Sequence, residues 1–128
     1  MAEYHSISDL VKLSIDNNQE IWQVVLTGQA HDKMMSERDV FAQMKQMYRA
    51  MKSADELYDW QLKSPSGMAG GDGYRMRQYN ESGNNICGDF IGMVMEKALK
   101  MGESNACMKR IVAAPTAGSC GVIPAVLL

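Results

Sequence analysis

Apolar residues recur along this chain at helical spacing, and the strict alternation of a half-buried strand is almost absent. Ile7, Leu10, Val11 and Ile15 line one face behind Ser6-Ile7-Ser8-Asp9, which reads as a capping box with Ser6 at the N-cap. Asp16-Asn17-Asn18 ends that helix. A second apolar segment, residues 20–27, carries Ile21, Trp22, Val24, Val25 and Leu26, with Gly28 as its expected stop. Ser36-Glu37-Arg38-Asp39 is a second capping box. It opens the clearest periodic stretch, residues 37–62, where Val40, Met44, Met47, Met51 and Ala54 share a face with Phe41 and Tyr48 beside them. A later helix is expected over residues 86–101, capped by Asn85 and closed by Gly102. It carries Ile86, Phe90, Met93, Val94 and Ala98 on one side. Pro124 suits the first turn of a last helix. These patterns predict an all-α fold of about five helices, with one short strand allowed at residues 111–114.

Length and composition narrow the picture. The chain has 128 residues, 46% hydrophobic and 22% charged, the balance of one ordinary globular domain. Thirteen Lys and Arg against 15 Asp and Glu leave a net charge of −2, which argues against a nucleic-acid partner. No apolar run approaches the ~18 residues of a membrane span, and no signal-peptide pattern opens the chain. A cytoplasmic protein with no membrane partner is the expectation. Twelve Met read as core filler. The apolar run Val122–Leu128 looks like a helix barely begun, so residues 1–128 are expected to be the N-terminal part of a longer catalytic domain, truncated at its C-terminal end.

Two loops could carry chemistry. Ser64-Pro65-Ser66-Gly67-Met68-Ala69-Gly70-Gly71-Asp72-Gly73 offers backbone N–H groups and two hydroxyls, a cradle for a carboxylate or phosphate. It matches neither the P-loop nor the dinucleotide fingerprint, and a plain linker between helices gives the same composition. The second loop is Ala114-Pro115-Thr116-Ala117-Gly118-Ser119-Cys120-Gly121. A cysteine among small residues beside a helix start can have a lowered thiol pKa, and so serve as a nucleophile or as a ligand to a soft metal. Cys87 and Cys107 lie on helix-like stretches and read as core. Three cysteines without a CxxC pair argue against a disulfide framework, and with His5 and His31 both near the start a zinc site is not expected. Both histidines read as surface or helix-end residues.

Residues 110–126, Arg-Ile-Val-Ala-Ala-Pro-Thr-Ala-Gly-Ser-Cys-Gly-Val-Ile-Pro-Ala-Val, closely resemble the central motif of the iron–sulfur-dependent L-serine dehydratases (L-serine ammonia-lyases). The stretch from Ser64 to Asp72 resembles that family's SxSGLTGGD segment, and Glu103-Ser104-Asn105-Ala106 resembles its E-A-N-A piece. The N-terminal helices are similar to the start of the alpha subunit of the two-subunit form. The resemblance implies a [4Fe–4S] cluster held by three thiolates, whose open iron acts as a Lewis acid on substrate, and no pyridoxal phosphate. L-serine would lose its α-proton and water, and the aminoacrylate would hydrolyse to pyruvate and ammonia. Carried over, Cys120 is one cluster ligand. Ser64, Ser66, Gly67, Gly70, Gly71 and Asp72 shape a substrate-carboxylate pocket, with Asn105 and Thr116 as further substrate-site candidates. Ala69 stands where the family usually has Thr, and the family's other two cluster cysteines lie downstream of this motif. The partners implied are L-serine and a beta subunit, or the remainder of the chain. A histidine of the beta chain is the candidate base, so no catalytic residue is assigned here and the segment alone is expected to be inactive. Two other readings stand beside this one: a non-enzymatic helical module that docks with a beta-type subunit, and a thiol-based redox or acyl-transfer protein working through Cys120.

Overall fold

A computed structural model describes residues 4–128. It is built of α1 (Ile7–Asp16), α2 (Ile21–Asp32), α3 (Glu37–Glu56), α4 (Asp72–Glu81), α5 (Gly88–Ala106), a 3₁₀ turn (Ala117–Ser119) and α6 (Val122–Leu127). Among the described residues there is no strand, and residues 111–113 run as irregular chain. The fold class is all-α. Two compact units divide after Gln46, inside α3.

In the first unit the helix starts follow local chemistry. Ser6 Oγ accepts the Asp9 N–H at 3.1 Å, and Ser36 Oγ accepts the Asp39 N–H at the same distance. At α2 the Glu20 N–H donates to Gln23 Oε1 at 2.8 Å. The α1 stop falls at Asp16-Asn17-Asn18 as expected, whereas the α2 stop follows a different rule. α2 runs through Gly28 to Asp32, and the chain turns off at Met34, whose φ is 53°. Met34 N–H returns to the His31 carbonyl and Met35 N–H to the Ala30 carbonyl, a Schellman closure. α1 closes in the same way on Asn18. Gly28 instead serves close packing, because a Cβ there would lie 3.3 Å from the Tyr4 ring. Val24, Ala30 and Val40 are buried, whereas Ile7, Ile15 and Met44 are exposed.

The second unit is organised around α5, against which α4 and α6 pack. α3 ends at Glu56, earlier than its periodicity suggests. Asp55 turns to Lys97 and Lys100 of α5, and Tyr58 leaves helical geometry to reach Glu103. α4 was not expected at all, because its ten residues carry little apolar pattern. α5 begins at Gly88 and runs through Gly102 to Ala106. Asn85 does act near its start, accepting the Cys87 N–H at 2.9 Å. Its end closes on Met108, φ 61°, with Lys109 N–H bonded to the Ser104 carbonyl. Ile86 is 92% exposed. The small apolar core holds Met51, Met101, Cys120, Pro124 and Ala125. Methionine is only partly core filler, since Met34, Met68 and Met108 lie on the surface. Cys87 is exposed and Cys107 half-buried, each capping an end of α5, so neither belongs to the core.

Beside the core sits a charged cluster. Lys97 Nζ donates to Asp55 Oδ2 at 2.9 Å, and Lys100 Nζ lies 2.8 Å from Asp55 Oδ1, off the line that a hydrogen bond needs. Burial pushes the Asp55 carboxyl up, but the close ammonium groups of Lys100 and Lys97 outweigh it and hold the group below its usual 3.8.

Candidate functional site

The glycine-rich loop is a closed structure. Ser64 is buried at its base, where its N–H donates to the Ala69 carbonyl at 2.9 Å and its Oγ accepts the Ala69 N–H at 3.1 Å. Ser66 Oγ lies 3.1 Å from Ser64 Oγ and 3.4 Å from the Met68 nitrogen, and Gly67 N–H returns to the Ser64 carbonyl at 2.8 Å. Gly70 has φ 136°, and a Cβ there would run into the Leu62 carbonyl oxygen. Lys63 Nζ donates to the Gly70 carbonyl at 2.5 Å. Gly71 caps α4, and Asp72 opens it with its carboxylate 2.7 Å from Arg75.

The α4 N-terminus already has an anion. Glu103, 6% exposed, reaches across from α5, and its Oε1 accepts the Asp72 N–H at 2.5 Å. Its Oε2 accepts the Gly73 N–H at 3.2 Å and also the Tyr58 hydroxyl. Tyr58 oxygen in turn accepts the Tyr74 N–H at 3.3 Å. Burial, and then the hydrogen bond and charge of Glu103, push the Tyr58 phenol far above its usual 10, so it stays a donor. The helix-terminus arithmetic explains the arrangement: orphan N–H groups at a buried helix start need an acceptor, and a carboxylate suits the local dipole. Above this point a cavity of about 450 Å³ is lined by Trp60, Lys63, Gly71, Tyr74 and Arg75, with Trp60 and Tyr74 stacked at 4.9 Å.

The cysteine loop is seated by neutral groups. Thr116 N–H donates to Ser119 Oγ at 3.2 Å, and Ser119 Oγ lies 3.1 Å from the Ala114 carbonyl. Asn105 Nδ2 donates to the Ala117 carbonyl at 3.2 Å, so two of the predicted site residues secure this loop locally. Cys120 is 2% exposed, with Sγ 3.8 Å from the Met101 carbonyl. Burial pushes its thiol up, opposite to the lowered pKa that its small-residue setting suggested.

At 100° per residue, Ala98, Met101 and Asn105 share one face of α5 and Glu96, Lys100 and Glu103 the opposite one. The predicted residues therefore form two groups at one level of a single helix. Ser64, Ser66, Gly67, Gly70, Gly71 and Asp72 belong to the loop anchored on one face, and Thr116 and Cys120 to the loop seated on the other with Asn105. Sequence reasoning missed Glu103, Tyr58, Lys63 and Arg75. Glu103 was visible only as part of the E-A-N-A resemblance, without a role.

The described residues do not assemble a site for an iron–sulfur cluster. Cys87 and Cys107 cap opposite ends of a 19-residue helix, about 30 Å apart. No three His, Cys, Asp or Glu side chains converge among the described residues.

The all-helical chain presents a glycine-rich loop and a cysteine loop from one central helix. The family model for the serine dehydratase alpha chain matches residues 16–128, and the chain belongs to that family. It is 29% identical to a probable L-serine dehydratase alpha chain of Bacillus subtilis over 97% of this chain and 41% of that protein. It is 49% identical to the L-serine dehydratase alpha chain of Peptoniphilus asaccharolyticus over 44% of this chain and 20% of that one. An L-serine dehydratase of Haemophilus influenzae is 30% identical over 97% of this chain and 28% of its own length. The chain thus spans less than half the length of these curated relatives. No solved structure gives a significant match. Among the described residues no helix is long and apolar enough to cross a membrane.

Proposed function

We propose that these residues form part of an iron–sulfur-dependent lyase that dehydrates and deaminates L-serine to pyruvate and ammonia in the cytoplasm. The observation that carries this reading is the family match over residues 16–128, which takes in both motif loops. In this reading Cys120 supplies one thiolate to the cluster, and the other ligands come from outside residues 1–128. The catalytic base and the complete active site likewise need the rest of the protein or a beta subunit. The role left to these residues is substrate placement. The glycine-rich loop has spare polar capacity at its exposed tip, Ser66–Gly67, while Gly70 and Gly71 are buried. The ammonium of Lys63 stands beside them. Such a surface suits the carboxylate of an amino acid. Exposed Phe90 and Ile91 on α5, with Val122 and Val126 on α6, are apolar surface that a docking module would use, and they fit an alpha chain in an assembly equally well.

The test is anaerobic cluster reconstitution of the complete protein carrying this sequence, with pyruvate formation from L-serine as readout. The wild type is expected to turn brown and make pyruvate, the Cys120→Ser variant to do neither, and the 128-residue chain alone to make none. Full turnover with Cys120→Ser overturns the cluster role.

A further inference from the structure

A cavity of about 410 Å³ opens where α3 and α5 both end, and its volume is that of an ordinary small-molecule site. None of residues 64–73 or 114–121 lines it, and its lining belongs wholly to the second unit. Ala50 and Ala54 of α3 and the exposed Leu57 give it apolar wall. Ser104 lines it from α5, and Lys109 and Arg110 from the segment that follows.

The polar groups of this lining are uncommitted. Ser104 is 6% exposed, and its hydroxyl has no hydrogen-bond partner among the described residues. A buried hydroxyl in that state is unfavourable, and a ligand oxygen would relieve it. Neither Lys109 nor Arg110 has an ion pair or a side-chain hydrogen bond among the described residues. The end of α5 does not claim them, because the Glu103, Ser104 and Asn105 carbonyls already accept the Cys107, Lys109 and Met108 N–H groups. Asp59 is the one carboxylate in the lining, and its Oδ1 accepts the Gln61 N–H at 3.0 Å. Two cations against one carboxylate leave a single positive charge in excess, which suits a monoanion better than a dianion.

We propose that this cavity is a binding site for a small monocarboxylate with a short aliphatic body. The Arg110 guanidinium matches a carboxylate in shape and charge, with the Lys109 ammonium beside it and the Ser104 hydroxyl as a further donor. The aliphatic part lies on Ala50, Ala54 and Leu57. The site needs neither the cluster nor the glycine-rich loop, so it stands independently of the dehydratase reading.

The test is calorimetric titration of the complete protein carrying this sequence with hexanoate. Saturable binding is expected, one hexanoate per chain, weakening as salt is added. Arg110→Gln should raise Kd about tenfold and Ser104→Ala about threefold. Lys45→Gln, an exposed cation of the first unit, should leave Kd unchanged. Absence of saturable binding overturns the proposal, as does a Kd that neither Arg110→Gln nor Ser104→Ala moves. Hexylamine binding as tightly as hexanoate would reduce the site to apolar contact, and inorganic phosphate binding more tightly would mean a different anion; either result also overturns it. Pyruvate formation plays no part in these readouts, so a protein that binds hexanoate and makes no pyruvate loses the dehydratase reading alone.

Discussion

The two faces of α5 hold their loops by different physics. On one face a buried carboxylate, Glu103, binds the glycine-rich loop through charge-assisted hydrogen bonds, with Tyr58 and the Asp55, Lys97 and Lys100 cluster nearby. On the other face the cysteine loop is held by a neutral Asn105 hydrogen bond, a weak thiol contact and close backbone packing at Gly121. The charged anchor is directional and expensive to break, because its donors are left dry when the acceptor goes. The neutral seat depends on shape, so it fails by steric intrusion more than by loss of a single bond.

The largest effect should follow from Glu103→Ala. Two amides and a phenol lose their acceptor at a buried site, at a cost of about 3 kcal/mol. A drop in the urea midpoint at unchanged slope would register it, and a midpoint near that of the wild type would mean the anchor is dispensable. Next comes the neutral face. A Cβ at Gly121 would stand 2.8 Å from the Ala98 carbonyl oxygen, so Gly121→Val should cost about 2 kcal/mol in thermal unfolding. If Gly121→Val melts like the wild type, α6 is not packed as tightly on α5 as described.

Titration should separate the faces further. Asp55 is held below 3.8, so its contribution is fully present above that pH and is lost as pH falls through the folded value. Tyr58 is pushed above 10, so its contribution is present below pH 10 and declines as pH rises beyond it. Stability measured against pH should therefore lose its acid limb in part with Asp55→Asn and its alkaline limb in part with Tyr58→Phe. Asn105→Ala, which removes no titrating group, should change neither limb. The smallest effect is expected for Asn105→Ala, about 0.5–1 kcal/mol, because its one hydrogen bond to Ala117 is neutral and half-exposed. A loss as large as that of Glu103→Ala would erase the distinction between the faces.

How much of this was legible depended on range. Caps at Ser6 and Ser36 could be read because the acceptor and the amide it serves are three residues apart. The α1 stop at Asn18 was read, but those of α2 and α5 were misread because Met34 and Met108, not glycine, take the left-handed position. That choice costs each residue strain, which the Schellman hydrogen bonds and the surrounding packing offset. α4 escaped notice because Asp72-Gly73-Tyr74-Arg75 carries no apolar stripe; its start is set by Glu103, some 30 residues away. Both motif loops were visible from composition and resemblance. Their separation onto opposite faces of α5 was not, since that depends on which turns of a long helix each loop meets. The burial of Cys120 was hidden for the same reason.

The stacking of Trp60 on Tyr74 has an optical consequence. The chain has two tryptophans, and Trp22 belongs to the first unit, well away in sequence. Trp60 lines the same cavity as Lys63 and Gly71. Its ring lies on a helix whose first amides are fixed by Glu103, so a shift of that anchor changes the stack and with it the indole emission. A Trp22→Phe protein would leave Trp60 as a single intrinsic fluorophore, a built-in gauge of the glycine-rich loop that needs no attached dye.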